Sequence, residues 1–70
     1  MSADDGEILE FARIWHPYGG PPAGEILIRF GIGPADFHRR VLKVMATPLG
    51  ALLTRKETAE ITRIATHFPN

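Results

Sequence analysis

Apolar residues recur at helical spacing in four separate stretches of this chain, and no segment shows convincing alternation with the two-residue period of a strand. In "DDGEILEFARIWH", Ile8, Phe11, Ala12 and Trp15 fall at i, i+3, i+4 and i+7, which lines one face of a helix over about residues 5–16. Asp4 with Glu7 three positions later is a capping-box signature, and the acids around them suit the positive end of a helix dipole. Leu9 and Ile14 widen the apolar stripe on opposite flanks, so one of the two is expected to stay partly exposed.

"HPYGGPPAG" stops this helix, because its prolines and glycines cannot continue one. A short second helix over about 22–30 is predicted, with Pro21 and Pro22 at its first turn and Ala23, Ile26, Leu27 and Phe30 on its inner face. Ile28 points the other way, beside Glu25 and Arg29. Gly31 then reads as a left-handed helix end, and Gly33-Pro34 as N-cap and first residue of a third helix over about 34–46. Its apolar positions are Phe37, Val41, Val44 and Met45. "TPLGALL" ends it, and Thr54 with Glu57 opens a fourth helix over about 55–67, with the stripe Ile61, Ile64, Ala65 and Phe68. The expectation is a single all-α domain over 1–70, a compact four-helix, helix-turn-helix-like fold. Helices one to three make its core, and the fourth braces that core or pairs across a dimer.

Composition narrows the class without changing the fold. Seventy residues hold one small domain, near the lower limit for an unassisted apolar core, and the absence of cysteine removes disulfides and thiolate zinc sites as staples. Packed helices, self-association or both must then supply stability. No apolar run approaches the length of a membrane span, and "MSADDGE" lacks the basic start of a signal peptide, so a cytoplasmic protein away from membranes is expected. The 8 basic and 8 acidic side chains cancel, but they are unevenly spread. Residues 1–28 set Arg13 against Asp4, Asp5, Glu7, Glu10 and Glu25, whereas residues 29–56 set Arg29, Arg39, Arg40, Lys43, Arg55 and Lys56 against Asp36 alone.

Two short helices joined by a glycine-containing turn, with an earlier helix to complete the core, outline a helix-turn-helix. Ile26, Phe30, Gly31, Ile32 and Phe37 match the motif's hydrophobic and glycine positions, while Leu27 stands where a small residue is commonest and Arg40 where a buried aliphatic is usual. Through "ILEFARIW", a glycine-containing linker and "RFGIGPADFHRRVLKVM", covering roughly residues 8 to 46, the chain resembles a family of short actinobacterial proteins of unknown function with a predicted helix-turn-helix. The resemblance implies a small helical, DNA-binding-like domain and supplies no catalytic residues.

Two readings of this layout are open. In the first, the protein is a small DNA-binding accessory or transcription-regulatory protein. Arg39 and Lys43, one turn apart on the outer face of the third helix, contact double-stranded DNA with Arg40 and with His38 at the border. In the second, the scaffold is a non-catalytic adaptor that binds another protein, with Ile28, Leu9 and Ile14 as its apolar contacts. A homodimer suits both. An ordinary solvated face, with Asp36 paired to Arg39 or Arg40, would account for the same charges. Catalysis is not expected. His16, His38 and His67 occur singly, which argues against a metal site, "YGGPPAG" lacks the Lys-Ser or Lys-Thr of a phosphate-binding loop, and the lone serine is Ser2. No cofactor is implied.

Overall fold

The computed structural model describes residues 4–67, and among them every regular element is helical. Helix α1 spans Asp5–Trp15 and runs into a 3₁₀ turn, His16–Tyr18. Helices α2 (Ala23–Phe30), α3 (Pro34–Met45) and α4 (Arg55–His67) follow, and a second 3₁₀ segment, Pro48–Leu52, lies between α3 and α4. The four-helix, all-α expectation is met. Phe68, assigned from sequence to the stripe of α4, lies outside the described residues.

The helix ends follow from local chemistry. The Asp4 carboxylate accepts the Glu7 backbone N–H at 2.9 Å, satisfying one of the amides left free in the first turn of α1. At α4 the box is reciprocal: the Glu57 N–H donates to Thr54 Oγ1 at 3.0 Å and the Thr54 N–H to Glu57 Oε1 at 2.9 Å. That backbone hydrogen bond from Thr54 is the leading reason the Glu57 carboxyl titrates below its ordinary value. Gly31 closes α2 at φ 70°, where a Cβ would be strained, and its N–H caps the Leu27 carbonyl. Pro22 is the N-cap of α2 rather than its first helical residue.

The core is built around α3. Phe37 is fully enclosed, stacked on Phe30 of α2 at 5.6 Å between ring centroids and edge-on to Phe11 of α1 at 5.9 Å. Val41 and Val44 continue the buried side of α3, meeting Ile8, Ala12, Ile61 and Ala65 in one apolar cluster. Helix α4 therefore contributes to the core itself, through Ile61 and Ala65, and is more than a brace.

Two flanks are settled by neighbours that periodicity does not reveal. Leu9 is 5 % exposed, because Leu49 and Leu53 of the second 3₁₀ segment and its end lie against that side of α1. That segment turns back so tightly that a Cβ on Gly50 would stand 2.3 Å from the Met45 carbonyl oxygen. Ile14, on the other flank, is 52 % exposed. On α2, only Ile26 is buried and Phe30 half-buried; Leu27, expected on the inner face, is 60 % exposed because this two-turn helix docks along a narrow edge.

Phe37→Ala is expected to cost about 3–5 kcal/mol of unfolding free energy, as for other buried phenylalanines, while Leu27→Ala stays within about 0.5 kcal/mol. Urea denaturation followed by circular dichroism measures both.

Candidate nucleic-acid interface

With about 100° between successive residues, the core side of α3 carries Phe37, His38, Val41 and Val44 and leaves Asp36, Arg39, Arg40 and Lys43 within about 100° of arc on the opposite side. All four are exposed. Pro34 at the first position and Gly33 as N-cap start the helix immediately after the turn Gly31, Ile32, Gly33. The basic side chains thus project from a helix whose other face is anchored in the aromatic cluster.

Within this face, Arg39 Nη2 donates to Asp36 Oδ1 at 2.6 Å. Both side chains are 62 % exposed, so the pair adds little stability and opens readily to a competing anion. Arg40 and Lys43 stand beside it. The arrangement can hold phosphates through three cations and offers one guanidinium with the planar fork that suits a guanine edge.

His38 does not belong to this surface. It is 6 % exposed, edge-on to Phe37 at 5.3 Å, and lines a small hollow with Ala12, Gly20, Pro21, Val41, Ile61 and Ile64. Its expected place at the border of the recognition face is corrected by α4 and the glycine-proline connector, which cover that flank. Burial lowers its pKa below the ordinary 6.5.

The other cations lie elsewhere. The Arg29 guanidinium sits 5.8 Å from the centroid of the Phe11 ring and lines a shallow hollow with Asp4, Glu7, Glu10 and Ile14 of the α1 side. Arg55 and Lys56 occupy the exposed first turn of α4, where Glu57 approaches Arg13 of α1 at 3.7 Å. Arg13 also donates to Glu10 at 2.9 Å, and that hydrogen bond lowers the Glu10 pKa. Helices α1 and α3 share the most extensive helix–helix contact through their apolar faces, so the outer face of α1, with Glu7 and Glu10, points away from that of α3.

Of the contacts assigned from sequence to a protein partner, Ile28 is 82 % exposed and Ile14 half-exposed, whereas Leu9 is withdrawn into the core. Leu27 joins the exposed set, a residue that the helical period had placed inside. The two positions that depart from the helix-turn-helix pattern, Leu27 and Arg40, are both in solvent. Among the described residues no group of three or more His, Cys, Asp or Glu could hold a metal ion, and no helix is long and apolar enough to cross a membrane. No family model, curated protein or solved structure matches this chain.

Because the neutral His38 is favoured inside the fold, the unfolded chain binds a proton more readily there. Unfolding free energy is expected to fall as pH drops below about 6.5 and to level off below the folded-state pKa, on top of any contribution from carboxylates at lower pH. His38→Leu removes that part of the fall, which urea titrations of both proteins across pH 5–8 would reveal.

Proposed function

We propose that this protein is a small DNA-binding accessory or regulatory domain that lays α3 against double-stranded DNA. The observation that carries the reading is the outward face of Arg39, Arg40 and Lys43 directly after a three-residue glycine turn, on the side of the molecule away from the acids of α1. An acidic back and a basic front orient the domain in the field of the phosphates although the formal net charge is zero. Arg40 and Lys43 serve as phosphate contacts. Arg39 exchanges Asp36 for a base edge or a phosphate, and Asp36 makes that exchange sensitive to how closely the helix approaches. The same stretch carries the resemblance to short actinobacterial proteins of unknown function with a predicted helix-turn-helix, and no catalytic role is assigned to any residue.

A second reading is favoured by a separate observation, the exposure of Leu27 and Ile28 on α2. It makes the domain an adaptor that docks a protein through that helix. The two readings separate by mutation.

In fluorescence anisotropy with a labelled mixed-sequence duplex, binding is expected to weaken with salt with a log–log slope of about −2.7 for three phosphate contacts. Arg39→Glu/Lys43→Glu should abolish it while Ile28→Glu leaves it in place. A folded protein that fails to bind at low salt overturns the DNA reading.

A further inference from the structure

Asp36, Arg39, Arg40 and Lys43 share the outer face of α3, and the acid among them has the wrong sign for a phosphate. It is also central. With about 100° between successive residues, Arg39 lies about 60° to one side of Asp36 and Arg40 about 40° to the other, so Asp36 stands about 10° from the midline of the face. Lys43 is equally close to that midline but about 10 Å further along the helix axis. Asp36 is the third residue of α3 and the first of the four to follow the Gly31–Gly33 turn. In a helix-turn-helix the N-terminal residues of the second helix reach the base edges, so a side chain in this place meets the floor of the major groove, while its flanking arginines meet the walls.

An ionised carboxylate only accepts hydrogen bonds, and beside a polyanion it is costly unless a donor meets it. In the free protein that donor is Arg39, whose Nη2 stands 2.6 Å from Asp36 Oδ1. When Arg39 turns to a guanine, the carboxylate needs a replacement, and one base edge fits it best. Cytosine presents the N4 amino group with no acceptor beside it, whereas adenine sets N7 next to its N6 amino group, thymine presents O4 and a methyl, and guanine presents N7 and O6. We propose that Asp36 determines the specificity of this face: its carboxylate accepts the N4 amino group of a cytosine in the major groove while Arg39 takes a guanine of the same pair or the next. The ligand class is then double-stranded DNA with G·C pairs where α3 enters, and A·T pairs are rejected because they leave the carboxylate against acceptors. The inference rests on the reading of α3 as a DNA-binding face and adds which duplex that face selects.

The test is fluorescence anisotropy of the full chain at low salt with three labelled alternating duplexes of equal length, guanine–cytosine, inosine–cytosine and adenine–thymine. Inosine lacks the guanine N2 amino group of the minor groove and keeps the major-groove edge, so the first two duplexes are expected to bind alike, at least about tenfold tighter than the third. Asp36→Ala, with an unchanged circular dichroism spectrum, is expected to bind the adenine–thymine duplex more tightly than the wild type does, because a repelling charge is gone. Its preference for guanine–cytosine over adenine–thymine falls at least about threefold, because the contact to cytosine is lost while Arg39 still reads guanine. An Asp36→Ala variant that gains affinity for all three duplexes by the same factor overturns the inference, since the acid then only repels. An inosine–cytosine duplex that binds like adenine–thymine overturns it in favour of the minor groove. A wild type that binds all three duplexes equally overturns it too but leaves α3 as a phosphate-contacting surface, whereas a folded protein that binds none of them overturns the DNA reading itself and this inference with it.

Discussion

The packing of Phe37 against Phe11 and Phe30 is the constraint on which the rest of the molecule depends. It takes one ring from each of α1, α2 and α3, and Phe37 has no exposed surface left. Burying one such ring is worth about 2–3 kcal/mol, a large share of what a domain this small can accumulate. Its geometric effect matters as much. With Phe37 fixed inward, helical periodicity leaves no choice about where Arg39, Arg40 and Lys43 point, so the fold itself presents the basic face.

The fold was legible in the sequence wherever a signal was local. Both capping signatures, the left-handed Gly31 and the Gly33-Pro34 start of α3 depend on residues within one turn of each other, and all appear at the expected positions. The apolar period of α3 likewise identified Phe37, Val41 and Val44 as core. What escaped was decided by elements distant in the chain. Leu9 and Ile14 flank the same stripe almost symmetrically, and only the packing of Leu49 and Leu53 against one side distinguishes them. "TPLGALL" reads as a helix stop. It also folds back as a cover.

His38 and Leu27 teach the same lesson in opposite directions. His38 sits at the margin of the apolar arc of α3, where period alone assigns neither core nor surface, and Ile61 and Ile64 of α4 with Gly20 and Pro21 close over it. Leu27 is in phase with Ile26 and Phe30, yet α2 is only two turns long and meets its neighbours along a narrow edge, so one flank of its apolar side stays in water. The charge layout was legible as a split between halves of the chain. That Arg29 turns towards the acids of α1, and so leaves the α3 face to three cations, required the packing of α2 on α1.

The central claim is that the aromatic anchor turns α3 outward as the surface that meets DNA. Amide chemical-shift mapping of the isotopically labelled protein during titration with a short duplex tests it residue by residue. The account predicts shifts at Asp36, Arg39, Arg40 and Lys43 and in the Gly31–Gly33 turn, with the acidic outer face of α1 unmoved. Shifts concentrated on α1 or α4, or none at all at low salt, would contradict it.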